Sequence, residues 1–225
     1  MTEFETLQTL LHRRHSCRAF LPQQVPHATI EDIVLAAGRA PSWCNAQPWK
    51  LIITSGNETT AFRDQLVQAA SGQPDPDYEW PNSYTGVYQE RRREVGWQLY
   101  NSVGVTKGDR EGAARQSARN FVMFDAPHIA IIHAPAELGT YGALDCGGFI
   151  TAFTLAAEAL GIASIPQAAV AGYAGAIRDH FGITDDRKIL CAISFGYKDP
   201  EHPANSFRTD RAPIEQIADF RGSSN

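Results

Sequence analysis

The sequence lacks the short motifs that mark several large enzyme classes. Its 225 residues contain neither a Gly-x-Gly-x-x-Gly fingerprint nor a Walker loop, so a permanently bound dinucleotide or nucleoside triphosphate is not indicated. The nucleophile elbow Gly-x-Ser-x-Gly is also missing, which leaves a serine hydrolase unsupported. His12 begins a His-x-x-His pair, but no third ligand stands at a sensible spacing, and we predict no metal site.

Cysteine is scarce, with four scattered residues and no Cys-x-x-Cys pair, which predicts neither a zinc site nor a disulfide framework. The chain starts Met-Thr-Glu-Phe-Glu, without the basic and then apolar pattern of a secretory signal. Its most apolar stretch, residues 143–160, carries two carboxylates and is too short to span a bilayer comfortably. We therefore predict a cytoplasmic protein with no membrane partner.

Positive charge is also in short supply, because 20 lysines and arginines are outnumbered by 25 aspartates and glutamates, giving a net charge of −5. A general nucleic-acid binder needs a basic surface to neutralise phosphates, so we predict no nucleic-acid partner. The basic run Arg91-Arg92-Arg93 is followed by Glu94, which is typical of a solvated helix face. With 43% apolar and 20% charged residues, the composition is that of a folded globular chain.

Hydrophobic periodicity predicts an α+β fold in a single domain that spans residues 1–225. Helices outnumber strands and do not alternate with them, which argues against a doubly wound sheet. Apolar runs predict three strands, a buried one at 51–54, a second at 128–133, and a central one, apolar on both faces, at 188–197. The predicted helices run from Phe4 to the basic cluster at 13 and over 29–38, 59–70, 110–121 and 143–160. A capping box of Thr29 and Asp32 is expected to open the second helix. The last helix is expected to be buried and to be closed by Gly161.

Residues 72–125 form a helical insertion that differs in character from the rest of the chain. It opens with Gln-Pro-Asp-Pro-Asp, which predicts a loop. Four aromatic residues follow, namely Tyr84, Tyr88, Trp97 and Tyr100. Two interpretations stay open for this region, an ordinary helical hairpin and a lid over a bound substrate. Residues 200–225 form a C-terminal arm with few core residues, and we expect it to wrap over another surface, such as a partner subunit.

Two runs near the start of the chain carry the strongest indication of function. The first is basic, Arg13-Arg14-His15-Ser16-Cys17-Arg18, and the second is Ala40-Pro41-Ser42-Trp43-Cys44-Asn45-Ala46-Gln47-Pro48-Trp49. The second run combines two indoles with a hydroxyl and a pair of carboxamides, and prolines stiffen its backbone. That mixture suits a planar heterocycle with a polar edge. The arginines upstream suit a polyanionic tail on the same ligand.

Together the two runs resemble the FMN-dependent nitroreductase family. The family's opening Arg-x-Ser-x-basic element is matched by Arg14, Ser16 and Arg18. Its Pro-Ser-x-x-Asn-x-Gln-Pro-Trp element is matched from Pro41 onward. Two weaker matches follow in the expected order, with 161–167 resembling the flavin-edge loop and 205–213 the terminal phosphate-binding segment. The resemblance implies a mixed sheet surrounded by helices, in an intertwined homodimer with FMN at the interface.

The resemblance also implies how the flavin is held at its phosphate and at its pyrimidine edge. Arg18 would lie beside the N1–C2=O edge, where a cation favours the reduced form because negative charge develops there. The phosphate would be bound from both ends of the chain, by Arg14, His15, Ser16, Arg208 and Arg211. Guanidinium groups suit this role because they form bidentate, charge-assisted bonds to phosphate oxygens.

The remaining implied contacts are to the flavin ring. A main-chain amide of Ala168 or Ala169, in the loop after Pro166 and Gln167, would meet N5. Trp43 replaces a small residue that is common in the family and is expected to narrow the pocket. No side chain is assigned as a catalytic acid or base. The isoalloxazine would contact four residues of the second run, partly from the neighbouring subunit, namely Pro41, Ser42, Asn45 and Gln47.

The activity implied by the resemblance is reduction of a small nitroaromatic or quinone by NADPH or NADH through FMN. The nicotinamide would deliver a hydride to flavin N5 and leave, and the acceptor would take its place. One site used in turn implies ping-pong kinetics. Three alternatives stay open: aerobic breakdown of the flavin, reductive dehalogenation of an aromatic, and a flavin-binding protein without turnover.

Overall fold

A four-stranded sheet with helices on both faces organises the computed structural model, which describes residues 1–222. The strands are β1 (Lys50–Ser55), β2 (His128–Pro135), β3 (Ala163–Gln167) and β4 (Arg187–Gly196). The α-helices of this range are α1 (Glu3–Arg13), α2 (His27–Ala37), α3 (Gly56–Ala69), α4 (Gly86–Ser102), α5 (Arg110–Ala118), α6 (Gly139–Ala159) and α7 (Ala174–Phe181). The α+β prediction is confirmed. The last residues of the predicted arm, 223–225, lie outside the described range.

Strand β2 shows how the sheet divides the core into two layers. Because successive side chains of a strand point to opposite faces, Ala130 and Ile132 pack in the layer of α2 and α6, whereas Ile129 and Ile131 pack in the layer of α3 and α7. Each fully buried aliphatic side chain stabilises the fold by about 1.5–3 kcal/mol. The strand order is β1-β2-β4-β3, so the central position predicted for β4 is confirmed.

The two edge strands depart from the sequence predictions. β1 is expected to be buried, but it lies at one edge of the sheet, and Thr54 is its one fully buried residue. Periodicity does not predict β3, because the segment is short and contains Pro166. A proline lacks the N–H that a central strand needs and is tolerated at an edge, which is where β3 lies. The predicted loop at 161–167 is therefore mostly strand, and the turn follows Gln167.

All pairings among the four strands are antiparallel. The parallel pairing that a mixed sheet requires is limited, in the described residues, to an isolated bridge between Ser16 and Ser164. That bridge matters for function, because it brings the basic run of the first motif to the edge of β3.

Helix α2 forms as predicted, but the predicted first residue is wrong. The helix begins at His27 rather than at Thr29, and Thr29 makes no capping hydrogen bond. Pro26 occupies the N-cap position with a φ of −57°, a value that the proline ring fixes and that leads directly into a helix. The predicted end before Gly38 is confirmed.

Helix α6 packs Phe149 and Phe153 into the core against the sheet. It ends as predicted before Gly161, whose φ of +75° costs glycine little. The prediction of a buried helix over 143–160 is wrong for the single chain, because Leu144 is 68% exposed; Tyr141, in the first turn of α6, is also 56% exposed. An exposed apolar stripe on a core helix marks a surface that another subunit can cover. No helix in residues 1–222 is long and apolar enough to cross a membrane.

The insertion 72–125 contains α4 and α5, and its first loop is fastened to the body of the domain. The carboxylate of Asp77 is almost fully buried and accepts from Arg178 at 2.6 Å. It also accepts from the main-chain N–H of Ile189, on β4, at 2.7 Å. Breaking a buried pair of this kind leaves an uncompensated charge, so the start of the insertion is held against α7 and β4.

Apolar side chains remain exposed near both ends of the chain. Phe4 and Leu7 on α1 are exposed, although the periodicity of α1 predicts a face that is buried. Ile217 and Phe220 on the arm are exposed as well. These two surfaces, like the outer face of α6, have no apolar partner in the described part of a single chain.

Candidate functional site

The basic run of the first motif crosses from helix α1 to the sheet. Arg14 is the C-cap of α1 and is already extended, with φ −60° and ψ 129°. The chain then meets β3, where the N–H of Cys17 donates to the carbonyl of Ser164 at 3.2 Å. This path places Ser16 and Arg18 beside the loop that follows β3.

A cleft of about 650 Å³ lies between the end of α1 and the C-terminal arm. Thr209 contributes a hydroxyl to its wall, and Val95 of the insertion also reaches it. The cleft is lined by all five residues that the resemblance implies for the phosphate, Arg14, His15, Ser16, Arg208 and Arg211. The fold thus brings together the two halves of the predicted phosphate site from opposite ends of the sequence.

Two arginines of this cleft bond to main-chain carbonyls and form no salt bridge in residues 1–222. Arg208 donates to the carbonyl of Asn205 at 3.0 Å, and Arg211 donates to the carbonyl of Thr209 at 3.1 Å. Such bonds orient a guanidinium without cancelling its charge. Asp210 lines the cleft but pairs with neither of them. Within residues 1–222, no salt bridge is made by Arg14, Arg18, Arg208 or Arg211.

The pKa values of the cleft residues reflect the same crowding of positive charge. Burial lowers the pKa of Arg14, and the nearby charge of Arg211 lowers it further. Burial also lowers the pKa of His15, and Arg208 and Lys198 act in the same direction. Cations that repel one another are stabilised when an anion binds between them. The donor set therefore fits the phosphate of the implied flavin mononucleotide.

A smaller pocket of about 280 Å³ lies next to the cleft, and Ser16 and Arg18 line both spaces. Arg18 donates to the carbonyl of Ser16 at 3.2 Å, and its guanidinium lies 5.9 Å from the centre of the Phe207 ring. Burial lowers the pKa of Arg18, but a guanidinium remains charged in proteins. A fixed cation at the junction of the two spaces suits the role implied for Arg18 at the ring edge.

Asn205 positions Arg18, a role that the sequence analysis does not identify. Asn205 is 5% exposed, and its Oδ1 accepts from the main-chain N–H of Arg18 at 2.8 Å. Its Nδ2 donates to the carbonyls of Ala19 and Asp199, both at 2.9 Å. One buried amide thus joins the basic run to the start of the arm. Its place at the head of segment 205–213 is the sequence signal that could have found it.

The loop after β3 forms part of the wall of the small pocket. Pro166, Gln167, Ala168 and Ala169 all line this pocket. In the described part of the chain, the N–H groups of Ala168 and Ala169 donate to no other group. Free amides at a pocket wall suit the contact implied for flavin N5. The side chain of Gln167, by contrast, bonds to Asn120 and Ser194.

The second motif has a strained backbone. Cys44, Asn45 and Gln47 have φ values of 50°, 57° and 47°, in a region that L-residues other than Asn and Asp rarely occupy. Each such residue costs on the order of 1–3 kcal/mol, and strain of this kind clusters at functional sites. The hydroxyl of Ser42 supports the turn by accepting from the N–H of Gln47 at 3.0 Å.

This second motif lies outside both spaces of its own chain. The N–H of Trp43 donates to Asp145 on α6 at 3.1 Å, and its ring lies 4.6 Å from that of Tyr141. Trp49 packs on Phe149 in the core, with ring centres 5.1 Å apart. The structure does not bring to the pockets of one chain the four predicted ring contacts Pro41, Ser42, Asn45 and Gln47. Their contact with a flavin from a neighbouring subunit stays a prediction, and their position beside the exposed face of α6 agrees with it.

The insertion supplies wall residues of the small pocket that the motifs do not reveal. Tyr100 is the one of its four predicted aromatics that lines this pocket. Trp97 packs edge-on against Tyr100 with ring centres 6.1 Å apart. Polar residues at and beyond the end of α5 complete the wall, namely Gln116, Ser117 and Asn120. These are the groups available to hold a second ligand beside the ring.

Comparison with known proteins gives consistent matches over nearly the whole chain. Residues 11–197 match the model described as Nitroreductase family. Nitroreductase NfnB of Mycolicibacterium smegmatis (strain ATCC 700084 / mc(2)155) is 33% identical over 218 residues, covering 96% of this chain and 93% of the relative. The 4-nitrobenzoate reductase of Pseudomonas putida is 32% identical over 211 residues, covering 93% and 92%. The crystal structure of the FMN-dependent nitroreductase NfnB from Mycobacterium smegmatis in complex with NADPH superposes with a TM-score of 0.93 at 32% identity, covering 98% of this chain and all of the other.

Proposed function

Because this chain belongs to the nitroreductase family, we propose that it is an FMN-dependent oxidoreductase that reduces nitroaromatic compounds with NADPH or NADH. The observation that carries the proposal is the cationic cleft, which shares Ser16 and Arg18 with the small pocket. A ligand with a phosphate tail and a flat ring needs two such spaces joined together. An FMN-dependent relative in complex with NADPH and a 4-nitrobenzoate reductase support the cofactor and the substrate class.

The chain's own residues have distinct roles in this proposal. A bound flavin would supply the two-electron chemistry between the reduced nicotinamide and the acceptor. Arg14, Arg208 and Arg211 hold the phosphate through charge-assisted bonds. Arg18 holds positive charge at the pyrimidine edge of the ring. A main-chain N–H in the loop 168–169 would donate to a bound flavin at N5.

We further propose that nicotinamide and acceptor use the same small pocket in turn. Because a flavin ring would itself take up most of its volume of about 280 Å³, nicotinamide and acceptor could not bind beside the ring together, so binding is exclusive and the kinetics are ping-pong. Gln116 and Ser117 offer an amide and a hydroxyl to the oxygens of a nitro group. The paired carbonyl oxygens of a quinone can accept from the same groups, so quinones are the second proposed acceptor class.

Steady-state oxidation of NADPH by the FMN-loaded protein tests this function. We expect oxidation to be slow alone and to rise at least tenfold with 4-nitrobenzoate or a benzoquinone, with parallel lines in double-reciprocal plots. NADPH oxidation that no acceptor accelerates would contradict the proposal. Loss of the flavin spectrum during turnover would indicate flavin breakdown, iodide release from an iodophenol would indicate dehalogenation, and tight FMN binding without oxidation would indicate a binding protein.

We also propose that the protein is an intertwined homodimer with flavin at the interface. Three exposed apolar surfaces support it, on α1, on α6 and on the arm. The strained second motif beside α6 supports it further, because its four predicted ring contacts lie outside the pockets of their own chain. They would reach a flavin bound by the partner subunit. The face of α6 is therefore proposed to place the motif of one subunit against the pocket of the other.

Light scattering at low micromolar concentration should give twice the chain mass. Leu144→Arg puts a charge on the exposed face of α6 and should yield monomers that bind FMN less tightly, because half of the ring contacts are lost. Val67→Arg is the matched control, because Val67 is an exposed apolar residue on α3, away from the proposed interface. A wild-type monomer with FMN still bound would contradict a shared site.

The cytoplasm is the proposed compartment. All four cysteines are free thiols, and Cys44 is exposed. A reducing compartment keeps exposed thiols unpaired, so the cysteine pattern supports this location.

A further inference from the structure

The side chain of Gln167, the last residue of β3, is fully engaged in hydrogen bonds. It is 3% exposed, and its Nε2 donates to the main-chain carbonyl of Asn120 at 3.0 Å and to Oδ1 of the same residue at 3.3 Å. Its Oε1 accepts from the hydroxyl of Ser194. A primary amide has two N–H donors, and both are in use. This side chain cannot donate to a flavin without breaking a buried bond.

These bonds join three separate parts of the fold. Ser194 is fully buried on the central strand β4, and Gln167 stands at the start of the loop with the free amides. Asn120 follows α5 in the insertion and also donates from Nδ2 to the carbonyl of Ser117 at 3.0 Å. The network therefore runs from the sheet to a residue that lines the small pocket.

We propose that Gln167 is a positioning residue that ties the insertion to the loop after β3 and so sets the width of the acceptor pocket. The inference rests on the proposed function, because it concerns the pocket beside the flavin. It gives the Gln167 side chain a role beside the loop whose main-chain amides the resemblance places at the flavin. The main chain of Gln167 remains free to line the pocket.

The geometry explains why one side chain has this effect. One wall of the pocket belongs to the loop 166–169, and another belongs to the insertion, through Tyr100, Gln116 and Ser117. The insertion is anchored at its start by Asp77, whereas Gln167 holds it near its end. Loss of the tie frees the end of α5 to move away from the loop, which loosens the grip on an acceptor and leaves the phosphate cleft intact.

The variant Gln167→Met tests the tie, because methionine has a similar volume and none of the hydrogen bonds. We expect unchanged FMN affinity and flavin spectrum, a KM for 4-nitrobenzoate raised on the order of tenfold, and a smaller change in kcat. Amide hydrogen exchange of residues 110–120 should become faster by a similar factor. A purely structural role would lower Tm and leave both KM and this local exchange as they are.

Ser194→Ala is the matched control, because it removes the bond to the sheet and leaves the bonds to Asn120. It should lower Tm without raising KM. Equal KM values in wild type, Gln167→Met and Ser194→Ala would overturn the inference. If Gln167→Met does not fold, Asn120→Ala decides through amide exchange of residues 110–120, with a two- to threefold faster exchange expected and an unchanged exchange as the contrary result. Amide hydrogen exchange of residues 110–120 can be measured without turnover. It therefore tests the tie even if the proposed function is wrong, so the two failures are distinguishable.

Discussion

Replacing Arg14 by alanine is expected to weaken FMN binding on the order of 10- to 100-fold. Arg14 lines the phosphate cleft and has no carboxylate partner in the described chain, so its charge is available to a phosphate. A hydrogen bond to a charged group contributes about 1.5–3 kcal/mol, and each 1.4 kcal/mol is about a tenfold change in Kd. Titration of the apoprotein with FMN, followed by flavin fluorescence, measures the loss.

Arg13→Ala is the control for this prediction. Arg13 precedes Arg14 but pairs with Glu158 at 2.9 Å, so its removal changes the net charge equally without removing a cleft ligand. FMN affinity should change less than threefold in this variant. An equal loss in both variants would mean that general charge, and not the cleft geometry, determines binding.

The variant Arg18→Ala should lower the two-electron potential of bound FMN by roughly 30–60 mV. A cation at the pyrimidine edge matters chiefly once negative charge has developed there. Loss of one such contact corresponds to about 1.5–3 kcal/mol, and 30 mV corresponds to about 1.4 kcal/mol for a two-electron couple. Reduction by NADPH should slow accordingly, which stopped-flow absorbance can follow beside an equilibrium redox titration.

The two arginine variants should differ in kind. Arg14→Ala should leave the potential of whatever flavin remains nearly unchanged, because the phosphate is remote from the ring. Arg18→Ala should retain oxidised FMN, although more weakly. An unchanged potential in Arg18→Ala at full flavin occupancy would show that another group stabilises the reduced ring.

Local patterns predict the elements that bury one strong periodic face. Three of the signals depend only on residues that are close in sequence: the apolar repeat of α6, the apolar run of β4, and Gly161 after α6. The structure confirms the helix, the strand and the positive φ of the glycine. β3 escapes prediction, because a proline inside a short strand resembles a loop signal until its edge position is known. The start of α2 is predicted wrongly, because both Pro26 and the pair of Thr29 and Asp32 are residues typical of a helix N-terminus.

Hydrophobic pattern alone cannot state which surface covers an apolar face. The stripe on α1 and the outer face of α6 are as apolar as core residues, yet Phe4 and Leu144 are exposed in the single chain. Periodicity indicates that a face is apolar and that its burial is favourable. It does not distinguish a core from a subunit interface.

The candidate site also contains residues that the sequence predicts and residues that it does not. Arg14 and Arg211 are almost a chain length apart, and only a resemblance to a family links them before the fold is known. The positioning residues Asn205 and Gln167 are harder to find, because a buried amide that bonds distant main-chain groups leaves no periodic trace in the sequence. Nor does any motif mark Gln116 and Ser117, since the insertion that carries them is the part with least resemblance to the family.

The most direct test of the central claim is a parallel titration of the apoprotein with FMN and with riboflavin, which differ only in the phosphate. If the cleft formed by Arg14, Arg208 and Arg211 holds that phosphate, FMN should bind at least 100-fold more tightly, and the difference should shrink as salt is raised. Equal affinity for the two flavins, or no binding of FMN at micromolar concentration, would contradict the assignment of this cleft and with it the proposed function.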